Sequence, residues 1–422
     1  MKEFKPLCQY SLKELFECAK KSAPYYSNLY KDTDYKTIES LPIVNQAEFW
    51  KSSPLTSEPH GIVFKSGGST GSPKYSYFTH NEWETYTQAF GKGLARNMIK
   101  DHDRVANLFY GGDLYASFFF IKDALKYANE DVSITHFPIA GQTKVENVLA
   151  TLNEFRINVI FGVPSAIVIL LEEYQKNKKN YPDILIERIF YGGEAMYEDQ
   201  IKAIKNVFSN IEITSIGCAT VDGGMIGYST LDCEIGEHRV LENVGIIEIV
   251  DPDTLEVIKE TNRAGKVLLT NLTRKLMPIL RYPSGDMAMW MEEEGVPNRK
   301  FKLLGRSDEA ARLGTLSVYF EDTRKYLIEE IGLEQGIQFQ MILKHYDQKD
   351  ELTLVVGLDR LETKELEEKI MKRFIKEKKS YQELLDLNLI HKLKIEIKKI
   401  SDLELNSRTG KFKRIIDQRG RE

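Results

Sequence analysis

Cysteine is scarce in this 422-residue chain, and the four present do not act together. Cys8, Cys18, Cys218 and Cys233 form no C-x-x-C pair and have no histidine at zinc spacing, which argues against a zinc module or a disulfide-stapled secreted domain. Long apolar runs are missing as well. No stretch approaches the ~20 uncharged residues of a membrane helix, and the opening MKEFKPLCQYSLKEL lacks the apolar core of an export signal. Neither sign of charge dominates: 58 Lys plus Arg stand against 63 Asp plus Glu, a net of −5. That balance gives no broad positive footprint for nucleic acid or an anionic membrane. The expectation is a soluble cytoplasmic chain with reduced thiols, no nucleic-acid partner and no membrane partner.

What the chain does have is apolar material, 42% of its residues, enough for a large core. At roughly 100 to 200 residues per domain, the length predicts two or three domains. From about residue 61 to 217, short β-branched or aromatic runs alternate with amphipathic stretches of helical length, the pattern of a parallel sheet covered by helices. Strands are expected at 61–65, 105–110, 132–137, 159–162, 184–191 and 211–216. Helices are expected at 82–96, 145–155, 165–175 and 198–208. Beyond Asp222 the texture changes. GIIEIVDPDTLEVIKE, KVLLTNLT and LMPILRY each read as strands of an antiparallel subdomain. After about residue 307 the chain becomes rich in Lys and Glu, with a helix at 363–375 and strands near Phe339, Leu352 and Leu393. The FFF run at 118–120 reads as core, and the lysines of KEKKS and KLKIEIKK as a solvated face. The fold class is therefore α/β: a large N-terminal body of doubly wound, mostly parallel sheet with an antiparallel β subdomain, and a small mobile C-terminal α+β domain. Its boundaries are expected at 1–304, a hinge at 305–310, and 311–422.

The segment most suggestive of chemistry is Phe64-Lys65-Ser66-Gly67-Gly68-Ser69-Thr70-Gly71-Ser72-Pro73-Lys74, which follows a strand and precedes a helix. Glycines let backbone amides converge on an anion, the hydroxyls of Ser66, Ser69 and Thr70 add donors, and Lys74 adds charge. A phosphate cradle is one reading and a surface turn the other. The Walker spacing is absent. Three further motifs follow in order: Arg281-Tyr282-Pro283-Ser284-Gly285-Asp286, Gly305-Arg306-Ser307-Asp308, and Arg408-Thr409-Gly410-Lys411.

Together these four motifs resemble those of the adenylate-forming superfamily of acyl-CoA synthetases and related ligases, in its phenylacetate-CoA ligase-like branch. The resemblance implies ATP and magnesium as cofactors, a small carboxylic acid as substrate, and CoA or a carrier protein as acceptor. It assigns the ATP phosphates to Ser66, Gly67, Gly68, Ser69, Thr70, Gly71 and Lys74, and the ribose to Asp286 with Arg306 beside it. It places adenine along Gly192, Gly193 and Glu194. Lys411 would bridge the carboxylate and α-phosphate, Thr220 would contact the α-phosphate, and Asp222 would be the magnesium carboxylate. Asp308 would be the hinge about which the C-terminal domain rotates between half reactions. Tyr110, Gly111, Tyr115, Pro164 and Gly217 would shape the acid pocket, with aromatics and glycines favouring a flat ring.

The sequence departs from the family pattern at three places. The aromatic that stacks on adenine is missing at Ile216-Gly217-Cys218-Ala219, leaving Tyr191 as its replacement. An Asn of the thiol tunnel is absent from Arg312-Leu313-Gly314-Thr315-Leu316-Ser317-Val318-Tyr319. Pro283 stands where an arginine is common. The reaction expected is adenylation of an acid, aryl favoured, followed by transfer to CoA. The alternatives are transfer to a carrier-protein thiol or an amine, and a nucleotide-binding protein without catalysis. The oligomeric state is left open, a homodimer among the options.

Overall fold

The computed structural model describes residues 7–65, 74–193, 196, 198–306, 310–331, 338–358, 364–399, 402–404 and 413–420. They fall into two compact units: the first holds the described residues up to Met196 and from Ile204 to Gly305, and the second those within Tyr197–Ala203 and from Arg306 onward.

At the start of the first unit, the helix Leu12–Ser22 opens on a capping box in which the Ser11 hydroxyl accepts from the Glu14 amide and the Glu14 carboxylate accepts from the Ser11 amide. This helix, the helix Pro24–Leu29 and the helix Gln46–Lys51 bury Leu15, Phe16, Tyr25, Tyr26, Tyr30 and Phe49 in one core with Ile247, Val267, Met277, Ile279 and Tyr282. Tyr26 ties the two sequence regions together, its hydroxyl donating to the Pro278 carbonyl at 3.0 Å and accepting from the Leu280 amide at 3.2 Å.

Five parallel strands form the α/β body, in the spatial order Thr135–Phe137, Arg104–Asn107, Val159–Gly162, Arg188–Tyr191, Glu212–Ser215. Helices Ser117–Ala128, Val145–Glu154, Pro164–Lys176 and Glu198–Val207 connect them. The chain leaves Arg104–Asn107 for one edge of the sheet and then returns past it to Val159–Gly162. Right-handed crossovers in opposite directions place helices on opposite faces, so the body is doubly wound.

Three expectations are corrected here. The strand Ile62–Lys65 is not in the parallel sheet: it pairs antiparallel with Tyr75–Phe78 as a separate hairpin across the glycine segment. The LMPILRY run is not a strand. Leu276, Met277, Ile279 and Leu280 are buried, but Pro278 lacks the donor a ladder needs and Arg281 has a positive φ of 45°, so the strand begins only at Tyr282. The FFF run belongs to a helix, in which Phe120 is core whereas Phe119 is 40% exposed.

A seven-stranded sheet follows, in the order Gly245–Val250, Gly265–Asn271, Tyr282–Trp290, Lys300–Arg306, Glu237–Val240, Gly224–Tyr228, Cys218–Thr220. The second unit has a hairpin of Ala310–Leu313 with Leu316–Tyr319 and a mixed sheet in the order Lys394–Lys398, Lys349–Gly357, Gln338–Tyr346, Ile415–Asp417. Helices Phe320–Ile331, Lys364–Glu377 and Lys379–Asp386 accompany it. Ile370 and Phe374, four apart on one helical face, are fully buried against Phe339 and Leu354. Lys378 departs from the solvated face expected of KEKKS: it is buried 3.5 Å from Asp322, and that burial lowers its pKa. All four cysteines are free thiols. Among the described residues no helix is long and apolar enough to cross a membrane.

Candidate active site

In a doubly wound sheet the reversal of strand order opens a crevice at the carboxyl ends of the strands flanking it, here Arg104–Asn107 and Val159–Gly162. The segments leaving those two ends hold Tyr110, Gly111, Tyr115 and Pro164. Leu108 donates its amide to the Phe161 carbonyl at 2.8 Å, so the first segment stays beside its neighbour before turning away. The turn is strained. Gly112, Asp113 and Leu114 all have positive φ, at 97°, 45° and 62°, and the Tyr115 amide closes onto the Gly112 carbonyl at 2.9 Å. Lys65, the last described residue before the glycine segment, locks this turn: its amide donates to the Leu114 carbonyl at 2.9 Å, and its ammonium pairs with Asp113. A Cβ on Gly111 would lie 3.0 Å from the Phe118 side chain, so the backbone approaches that ring closely. Pro164 occupies the first turn of its helix, where a missing amide is harmless.

Gly192 and Gly193 leave the carboxyl end of the next strand, Arg188–Tyr191. Gly193 has φ 81°, and a Cβ on Gly192 would meet Ile216 at 2.7 Å. Tyr191 is buried, which raises its hydroxyl pKa to about 12. Gly217, just beyond the last parallel strand, has φ 125°, and a Cβ there would sit 2.6 Å from the Gly227 carbonyl oxygen. Its amide donates to Ser215 Oγ at 3.1 Å, and that hydroxyl contacts His238 Nε2 at 3.0 Å. His238 is almost wholly buried, which pushes its pKa down to about 4 and leaves it neutral. Sequence reasoning missed this Ser215–His238 pair because no local pattern links a strand end to a histidine 23 residues on.

Thr220, Val221, Asp222, Gly223 and Gly224 form the tight connection between Cys218–Thr220 and Gly224–Tyr228. Thr220 Oγ1 accepts the Gly223 amide at 2.9 Å, and Asn271 Nδ2 donates to the Gly223 carbonyl at 3.1 Å, which fixes the turn from two sides. The Asp222 carboxylate lies 3.9 Å from Lys74 Nζ, bringing the end of the glycine segment and the tip of the hairpin together. Tyr282 donates its hydroxyl to Asp222 Oδ2 at 2.6 Å and accepts from Trp50 Nε1 at 3.1 Å. Tyr282 belongs to the Arg281–Asp286 motif, which gives no sign of its partners, and Trp50, 232 positions from Tyr282, belongs to no motif.

Asp286 lies on the strand Tyr282–Trp290, largely buried, its amide donating to Ser284 Oγ at 3.1 Å. The ladder pairs Leu268 with Pro283 and Lys266 with Met287, so Ser284, Gly285 and Asp286 stand opposite Val267 alone. This bulge, with Gly285 at φ 82°, turns the Ser-Gly-Asp segment out of the regular ladder. Arg306 ends the strand Lys300–Arg306. Ser66, Gly67, Gly68, Ser69, Thr70, Gly71, Glu194, Asp308 and Lys411 lie outside the described residues. Among those described, no cluster of three or more His, Cys, Asp or Glu could hold a metal.

No family model matches the chain. It is similar to a phenylacetate-coenzyme A ligase of Thermus thermophilus, 23% identical over 97% of this chain and 95% of that protein. A shorter stretch, 32% of this chain and 31% of the relative, is 30% identical to indoleacetate–lysine synthetase of Pseudomonas savastanoi. Among solved structures, 2-hydroxyisobutyryl-CoA ligase in complex with 2-HIB-AMP and CoA has the same fold, with a TM-score of 0.68 over 97% of this chain and 88% of that one at 18% identity. The four ordered motifs resemble those of the phenylacetate-CoA ligase-like branch of the adenylate-forming superfamily, the similarity to such a ligase runs over nearly the whole chain, and the fold is that of a solved CoA ligase.

Proposed function

We propose that the protein joins a carboxylic acid to a thiol at the expense of ATP. In the first step an oxygen of the substrate carboxylate attacks the α-phosphorus, the bond from that phosphorus to the bridging oxygen breaks, and pyrophosphate leaves. In the second, the CoA sulfur attacks the acyl carbon and the C–O bond to AMP breaks. The observation that carries this reading is the 3.9 Å approach of Lys74 to Asp222, 148 positions apart in sequence. Each neutralises the other, and a magnesium triphosphate presents both opposite signs, so it can engage both at once. The donor set fits magnesium arriving with the nucleotide, since that ion is held by one or two carboxylates together with phosphates and water. Asp222 would hold it, and when bound the ion draws charge from the triphosphate oxygens. Lys74 would offset the charge that repels an incoming carboxylate. Thr220, its hydroxyl set by the Gly223 amide, would face the α-phosphate, and Asp286 would take the ribose hydroxyls.

The acid would lie at the sheet crossover, where Tyr110, Gly111, Tyr115 and Pro164 line the carboxyl ends of two adjacent strands. Their aromatic and glycine character favours an aryl acid. The test is carboxylate-dependent exchange of labelled pyrophosphate into ATP across a panel of aryl and fatty acids. Exchange with an aryl acid is expected, and Lys411→Ala should abolish it. Unchanged exchange in that variant would remove Lys411 from the first step, and no exchange by the parent chain with any acid would overturn the whole reading.

A second acceptor is favoured by two observations: Leu316 stands in the segment that has an asparagine in the family's thiol tunnel, and one third of the chain is similar to a lysine-conjugating synthetase. Supplying the acyl-AMP with CoA and, separately, with lysine distinguishes them. A thioester product supports CoA; an amide product replaces CoA with an amine.

A further inference from the structure

Asp222 is held by Arg274, Tyr282 and Lys74, with Trp50 behind Tyr282. Arg274 Nη1 donates to its backbone carbonyl at 2.6 Å, and Arg274 is itself buried, donating through Nη2 to Ser76 Oγ at 3.1 Å and the Tyr77 carbonyl at 2.8 Å. Burial pulls its guanidinium down to about 10. The side chain is held independently. An indole N–H can only donate, so the Tyr282 oxygen is the acceptor of the 3.1 Å bond from Trp50, and the phenol donates to Asp222 Oδ2 at 2.6 Å. The phenol cannot swing away: Tyr282 is fully buried, with Phe49 edge-on at 5.3 Å and Trp50 at 6.5 Å between ring centres. Lys74 Nζ completes the cluster, 5.7 Å from the Trp50 ring centre and closer to Oδ2.

We propose that Trp50 and Tyr282 are positioning residues for the metal nucleotide: the indole orients the phenol, the phenol occupies Oδ2, and the carboxylate is thereby turned so that Oδ1 meets the cation. This rests on the assignment of Asp222 to magnesium. Partners that orient a ligating carboxylate set its geometry and its charge, and losing one lowers metal affinity about ten- to a hundredfold. A phenol does this as a neutral hydrogen-bond donor.

The experiment measures ATP binding to the full chain by calorimetry, once in magnesium and once in EDTA. Tyr282→Phe keeps the buried ring and removes only the hydroxyl. The affinity gained on adding magnesium should fall about ten- to a hundredfold, with the affinity in EDTA unchanged. Trp50→Phe should lose less, in the same direction. In the Tyr282→Phe background it should lose nothing more, since one relay cannot be cut twice. The inference is overturned if Tyr282→Phe retains the full magnesium gain, if it loses affinity equally in magnesium and in EDTA, or if the two substitutions add. Should Tyr282→Phe fail to fold, a magnesium gain in Trp50→Phe equal to that of the parent chain overturns it as well. Absence of ATP binding by the parent chain in both buffers would instead overturn the ligase reading, and this inference with it.

Discussion

The two ends of the parallel sheet are built on opposite principles. At the amino ends, Arg188 grips Asp103 with both guanidinium nitrogens, and Asn158 bridges Asp103 at 3.2 Å and Glu187 at 3.0 Å while accepting the Arg104 amide at 2.9 Å. The side chains of Arg188 and Asp103 are each only 3% exposed. At the carboxyl ends stand glycines with positive φ, the strained Asp113–Leu114 turn and a buried neutral histidine. The lower edge fixes three strands to one another with charge. The upper edge leaves backbone close to the surface, where a ligand can reach it, and holds its loops with side chains from elsewhere in the chain. Stability and the proposed chemistry are thus carried by different ends of the same strands.

Substituting one residue on each side separates the two roles most sharply. Arg188→Met strands Asp103 as a buried unpaired charge and should cost about 3 to 5 kcal/mol in chemical denaturation, with pyrophosphate exchange per folded molecule unchanged. Asp222→Asn, across the site from that edge, should lower exchange about 100- to 1,000-fold while costing about 1 kcal/mol. If either substitution moved both quantities strongly, the division would fail.

Acid should weaken the upper side next. His238 is held neutral with a pKa near 4 against an ordinary 6.5, so between those values the unfolded chain binds the extra proton. Stability should therefore fall as pH drops from about 6.5 to about 4 and level off below, by on the order of 3 kcal/mol from this residue. His136, at the sheet edge and also lowered to about 4 by burial, adds in the same direction. Denaturant midpoints across that range should show the slope, and His238→Gln should flatten most of it.

The smallest expected effect is at Leu114. Its φ of 62° costs a branched side chain about 1 kcal/mol, which glycine relieves while gaining freedom in the unfolded chain. Leu114→Gly should stabilise by about 0.5 kcal/mol, read as a small rise in melting temperature. A loss instead would mean that the turn depends on contacts of the leucine side chain.

Most elements of the α/β body were legible because each is short, strongly periodic and locally determined; Val159–Gly162 and the helix from Val145 fall where their apolar spacing places them. The failures were failures of partner. Ile62–Lys65 has the composition of any strand, and only the return of the chain at Tyr75 decides that it pairs there. The apolar LMPILRY run is buried by helices more than 200 residues earlier, so its burial does not require a ladder. In the candidate site, Lys74 and Asp222 stand out through motifs, whereas Trp50 reaches the cluster through Tyr282, 232 positions away, and through Lys74 over its ring. The motif from Arg281 to Asp286 reads as the end of a strand, whereas the strand begins at Tyr282 and carries the bulge at Gly285 within it.

The shared core of the first fifty residues and the later sheet also fixes an order of events during synthesis. Tyr25, Tyr26, Tyr30 and Phe49 emerge early, yet the partners that cover them, Met277 to Tyr282, are made about 250 residues afterwards. At 5 to 20 residues per second the ribosome needs on the order of tens of seconds to supply them. Throughout that interval the aromatic side chains of this segment lack the partners that cover them in the folded chain.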